Sequence, residues 1–224
     1  MTPLLARATS AATEGSDLVL VPVGSLEQHG PHLPLDTDTV IAEAVTHRVA
    51  ARLPGAMVAP AIAYGASGEH QSFPGTSSIG ADVLHQVIVE LTRSIRTWAR
   101  RVVFVNGHGG NVRALSAAVD QLVAEGHDVR WAGCTVSGGD GHAGRTETSL
   151  MLYLRPGGVH LDRAAAGNLA PLTTLMPRLA VDGVSAVSAN GVLGDPTGAS
   201  ADQGSRTLDF MVQHVCDRLC HVRV

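Results

Sequence analysis

Short unbroken apolar runs alternate along the chain with longer stretches in which apolar residues recur every three or four positions. The runs are Leu18–Val23 (LVLVPV), Met57–Ile62, the VVFV within Arg101–Val105, and Val129–Cys134. Their length and flanking turn residues predict strands buried on both faces. Val40, Ile41, Ala44, Val45, Val49 and Leu53 predict a helix over 39–53, with N-caps available from Asp36 to Asp38 and a stop at Pro54-Gly55. A helix over 81–99 follows from a stripe of Val83, Val87, Leu91, Ile95 and Trp98, with Leu84 and Ile88 beside it. Val112, Leu115, Val119 and Leu122 mark a helix ending near Gly126, and 146–154 reads as another. Ser200 and Gln203 form a capping-box pattern for a last helix reaching about Leu219. Residues 156–198, which contain Pro171, Pro177 and Pro196, show no clear period.

Strands alternating with helices predict an α/β fold: a mostly parallel sheet covered by helices on both faces, a three-layer α/β/α arrangement. Neither a repeat nor a linker is visible, so residues 1–224 are expected to form one domain. In such sheets ligands bind beyond the carboxyl ends of the strands. Histidines and acids collect there. Glu27, His29 and Asp38 follow the first strand, His70 the second, His108 the third, and His142 and Glu147 the fourth.

Composition narrows the function classes. The chain is 45% hydrophobic and 16% charged, which excludes a disordered protein. A net charge of −4 with no basic face argues against nucleic acid as a partner. No apolar run approaches the ~20 residues that span a bilayer, so no membrane partner is expected. No signal peptide is evident at the N-terminus. Cys134, Cys216 and Cys220 form no CxxC pair and fit free thiols in a reducing compartment, so a cytoplasmic protein is expected. A chain of this size folds without a structural metal, so a metal site in it would be functional. Aromatics are only 3% while histidines number 11, and where those histidines stand decides their meaning.

Four segments carry the candidate chemistry. GSLEQHGPHLPLDTD (24–38) presents Glu27, His29, His32, Asp36 and Asp38 between a strand and a helix. Glu27 and His29 are two apart and point to one side of an extended segment. Mixed carboxylate and imidazole donors suit Zn²⁺, Mn²⁺ or Fe²⁺. A polar loop with an Asp helix cap explains the same residues. NGHGGN (106–111) places His108 directly after a strand, with glycines that allow close backbone approach; without GK[ST] it is no P-loop. GHAGRTETS (141–149) supplies His142 and Glu147, although Glu147 is also a favourable first-turn acid. YGASGEHQSFPGTSS (64–78) offers Glu69 and His70 either as a substrate-binding rim or as a plain surface loop. No GxSxG is present, which removes the usual serine hydrolase arrangement. His47, His85, His127, His160, His214 and His221 read as structural or solvated.

In this order the motifs GSLEQHGPHLPLDTD, FPGTSS (73–78), VNGHGGN (105–111) and HAGRTETS (142–149) resemble the creatininase family. The resemblance implies a creatininase-like three-layer fold, hydrolysis of a C–N amide bond, two divalent metal ions per subunit (Zn and/or Fe or Mn), and a homo-oligomer, a hexamer or larger. Carried over by position, Glu27, Asp38 and His108 would hold one ion and His29, Asp38 and Glu147 the other, with His142 as the catalytic histidine. Creatininase itself carries a ligand glutamate in the turn where this chain has Gly110, and Glu147 is the candidate to replace it. The tryptophans that close creatininase's pocket also have no counterpart; Trp98 and Trp131 lie in a helix and a strand. HLPLDTDT (32–39), APAIAYGASGEHQSFPGT (59–76), AAGNLAPL (165–172) and GVLGDPTGAS (191–200) resemble the mycofactocin-system branch of that family. That branch implies a peptidase whose partner is a modified precursor peptide, cut to release its C-terminal Val-Tyr-derived dipeptide. The competing readings are a hydrolase of a small cyclic amide or formamide and a non-catalytic metal- or ligand-binding protein.

Overall fold

The four apolar runs become neighbouring strands of one sheet. The computed structural model describes residues 3–220, and in it β1 (Leu18–Val23), β2 (Ala56–Val58), β3 (Val102–Asn106) and β4 (Val129–Gly133) lie in the order β2-β1-β3-β4. Every pairing is parallel, with Val19 opposite Val102 and Val102 opposite Val129. The helices are α1 (Ser10–Thr13), α2 (Thr37–Arg52), α3 (Ala81–Ile95), α4 (Val112–Ala124), α5 (Arg145–Leu154), α6 (Leu172–Asp182) and α7 (Ala201–Cys220). Because strand side chains alternate, Val19, Val21 and Phe104 pack with Leu84 and Ile88 of α3 and Leu115 and Leu122 of α4. Leu20, Val103 and Val105 pack on the other face with Ile41 and Val45 of α2, Leu150 of α5, and Leu208 and Val212 of α7. Burial on both faces is why these strands read as continuous apolar runs. The three-layer α/β/α fold expected from the alternation is the one observed.

Three local readings change. The second run pairs as a ladder only over Ala56–Val58; Pro60 has no N–H, and pairing resumes at a single Ile62–Val23 bridge. On α3 the buried row is Leu84, Ile88 and Ile95, while Val83 and Val87 are exposed at 53% and 37%. The apolar arc of that helix is wider than the face its neighbours cover, and packing selects one edge of it. Residues 156–198 are also not structureless. They contain α6, which runs through Pro177, and Leu175, Leu179, Val184 and Leu193 form a small core of their own. Among the described residues no helix is long and apolar enough to cross a membrane.

Candidate metal centre

The carboxyl ends of β1 and β3 and the first turn of α2 meet at one point. Gly107 makes the approach possible, since a Cβ there would lie 2.4 Å from the Asp38 carbonyl oxygen. Asp38 thereby comes to sit beside His108. Asn111 ties the surrounding loops together. Its Nδ2 donates to the Gly24 carbonyl (2.9 Å) and to Asn106 Oδ1 (3.1 Å), and its Oδ1 accepts from the Ala66 N–H (2.8 Å).

Asp38 is the hub. Its Oδ2 accepts from Ser25 Oγ at 2.7 Å and lies 3.1 Å from His108 Nδ1; its Oδ1 lies 3.2 Å from His29 Nε2. Glu27 is fully buried, and neither of its carboxylate oxygens has a hydrogen-bond partner. Imidazoles surround it: His108 Nε2 at 3.2 Å, His70 Nε2 at 3.4 Å and His142 Nδ1 at 3.7 Å. Glu147, in the first turn of α5, has Oε2 3.9 Å from His29 Nε2 and accepts from the Ala143 N–H at 2.6 Å. Ala143 itself takes a left-handed φ of 52°, a conformation that L residues other than glycine, Asn and Asp seldom adopt without support from their surroundings. Among the described residues, three sets of donor atoms are close enough to share one ion: Glu27–Asp38–His108, His29–Asp38–Glu147 and Glu27–His29–His142.

The electrostatics follow from burial and crowding. Burial raises the Glu27 carboxyl to about 7, offset in part by His108 and reinforced by Asp38. Glu147 is likewise raised by burial to about 7, against the opposing charge of His29. Burial disfavours charge on Asp38 too, but the charges and hydrogen bonds of His29 and His108 hold it well below the usual carboxylate range. Burial works against protonation of His29, yet Asp38 first, then Glu147 and Glu27, raise it to about 10. His108 is also raised to about 10, burial again opposing while Glu27, Asp38 and Glu69 favour its charge. His142 is pushed well down by burial and by the charges of His29 and His70. His70 falls to about 3, chiefly through burial. An unpartnered buried carboxylate, crowded by further carboxylates and by imidazoles that become ligands once deprotonated, is a donor set suited to borderline divalent cations.

Glu27, His29, Asp38, His108, His142 and Glu147 thus converge. His70 joins them, and Glu69 lies at the edge, its Oε1 3.7 Å from His108 Nε2. His32 and Asp36 do not join. His32 is buried against Thr148 Oγ1 at 2.9 Å, and Asp36 pairs with Arg155. His47 and His160 are exposed, and His85, His127 and His214 are half-buried outside the cluster; His221 lies outside the described residues. Sequence reasoning passed over Gln28. Its Nε2 lies 2.8 Å from His70 Nδ1, 3.1 Å from His142 Nε2 and 3.0 Å from the Gly191 carbonyl. Its place between Glu27 and His29 was the available signal, but strand alternation turns such a residue away from the site. Asp38, His108, His142 and Glu147 line a cavity of about 1040 Å³ together with Leu172, Met176 and Leu179 of α6.

The family profile for creatininase, described as creatinine amidohydrolase, matches residues 5–219. A protein of Mycobacterium ulcerans named mycofactocin precursor peptide peptidase is 56% identical over 209 residues, covering 90% of this chain and 84% of that protein. One of the same name from Mycobacterium tuberculosis is 55% identical, covering 91% and 85%. A solved mutant creatininase of Zn–Zn type superposes with a TM-score of 0.83 at 30% identity, covering 98% of this chain and 97% of that one. Fold, site and sequence together place this chain in the creatininase family.

Proposed function

We propose that the chain is a two-ion peptidase that cuts the modified mycofactocin precursor peptide and releases its C-terminal Val-Tyr-derived dipeptide. The reading is carried by relatives of that name that are 55–56% identical over about nine-tenths of the chain. The cavity supports it, since its volume of about 1040 Å³ admits a peptide segment above the buried cluster. Glu27, Asp38 and His108 hold one divalent ion (Zn, Fe or Mn), and His29, Asp38 and Glu147 the second. When bound, such ions polarise an amide carbonyl and acidify water near neutral pH.

The remaining roles belong to the chain's own groups. His142 Nε2 lies 2.8 Å from the Gln28 carbonyl oxygen, so its N–H donates there and Nδ1 turns toward Glu27. The imidazole is thereby placed at the cluster to relay a proton to the departing amine. Gln28 donates to the Gly191 carbonyl and to His70 Nδ1, which leaves the His70 Nε2–H facing Glu27 Oε1 at 3.4 Å. His70 and Glu69 line the cavity where substrate binds. The whole of residues 1–224 acts as one domain, as a homo-oligomer in the cytoplasm. Exposed Val83 and Val87 on α3 favour assembly, and sedimentation at micromolar concentration should show a species larger than a monomer.

The deciding experiment incubates metal-loaded protein with modified precursor peptide, creatinine and a formamide, with mass spectrometry as the readout. Cleavage of the peptide alone supports the proposal; turnover of only a small amide replaces it.

Metal uptake should depend on pH in a defined direction. Without ions, Glu27 and Glu147 hold protons up to about 7 and His29 and His108 up to about 10. Metal binding needs the carboxylates ionised and the imidazoles neutral, so loading releases protons and apparent affinity rises with pH. Calorimetry in buffers of different ionisation enthalpy counts those protons. Equal affinity from roughly pH 6 to pH 8, with no proton release, would contradict this electrostatic account.

A further inference from the structure

Gly110 leaves a space at the centre, and a side chain from another loop fills it. A Cβ built on Gly110 would meet the Ala66 carbonyl oxygen at 2.3 Å, His108 Nε2 at 2.5 Å and Glu69 Oε1 at 2.6 Å. The Ala66 backbone therefore bars any side chain at 110, and the Glu69 carboxylate stands where such a side chain would begin. Glu69 belongs to the 3-10 turn Gly68–His70, whose backbone is held by the His70 N–H to the Ser67 carbonyl at 3.1 Å. Its own carbonyl packs under Gly183, where a Cβ would come within 2.8 Å of it. The carboxylate points inward, with Oε1 3.7 Å from His108 Nε2, although the side chain keeps 31% of its exposure. Glu147 stands elsewhere, on the His29 side of Asp38.

We propose that Glu69 is a ligand of the ion held by Glu27, Asp38 and His108. It supplies from the loop after β2 the carboxylate that position 110 does not carry. The inference rests on the two-ion reading above. It divides the acids between the ions: Glu69 serves the His108 side and Glu147 the His29 side.

The test strips wild type, Glu69→Gln and Glu147→Gln of metal and titrates each with Zn²⁺ alone against a competing chelator. Melting temperature provides the folding control. Wild type is expected to bind two equivalents. Glu69→Gln should keep one affinity unchanged and weaken the other by about tenfold or more. Glu147→Gln should weaken the opposite ion, and the double variant both. Glu69→Asp keeps the charge but draws it back by one methylene, and should weaken the same ion as Glu69→Gln. If Glu69→Gln and Glu69→Asp, each folded, take up both ions with wild-type affinity, Glu69 is no ligand and the inference is overturned on its own. If wild type never exceeds one equivalent, the two-ion reading fails and takes the inference with it.

Discussion

Replacing Asp38 by alanine is expected to strip the protein of both divalent ions and reduce amide hydrolysis to background. The two carboxylate oxygens face different partners, Oδ1 toward His29 at 3.2 Å and Oδ2 toward His108 at 3.1 Å. One residue therefore belongs to both proposed sets of ligands. Its removal also leaves Ser25, His29 and His108, all buried, without their shared acceptor. Deleting one partner of a buried charge pair costs about 3–5 kcal/mol, so the metal-free variant should melt earlier as well. Asp38→Asn keeps the shape, and separates loss of charge from loss of packing. Metal analysis after dialysis is the primary readout. Full metal content in Asp38→Ala would remove Asp38 from both proposed ligand sets.

His142→Ala should do the opposite: keep both ions and lose the chemistry. His142 also falls into a donor set with Glu27 and His29. The other two sets already give each ion three protein donors, before Glu69 is added to one of them, so neither ion needs His142. His142 is anchored through its backbone as well, pairing with Leu193 in both directions at 3.1 and 2.8 Å. The imidazole is thus held beside the cluster without being needed to bind an ion. A positioned acid–base group is worth about 10²–10⁴-fold in rate, and kcat should fall by that amount while KM changes little. If His142 is a ligand, the variant loses an ion in step with its activity. Metal content and single-turnover rate on one preparation separate the two outcomes.

Much of this architecture is legible along the chain because it depends on local repetition. β1, β3 and β4 are short apolar runs, and α2, α4, α5 and α7 keep a helical period. The rule that ligands sit beyond strand carboxyl ends then gathers Glu27, His29, Asp38, His108, His142 and Glu147 to one edge of the sheet. Each of these steps uses residues a few positions apart, where backbone geometry alone dictates direction.

Other features depend on segments far apart in sequence. Gln28 meets His142 and Gly191 across separations of 114 and 163 residues, and no periodicity carries that information. α6 escaped notice because Pro177 interrupts its pattern, yet Leu175 and Leu179 are buried by contacts that compensate for it. Val83 and Val87 fit the α3 stripe as well as Leu84 and Ile88 do, and only the positions of neighbouring elements decide which row is covered. At the centre, sequence determines which acids and imidazoles are available, and the missing carboxylate at Gly110 is visible in it. What lies in that space is decided by the packing of the Ala66–His70 loop, because a vacated volume is filled by whichever segment the fold brings past it.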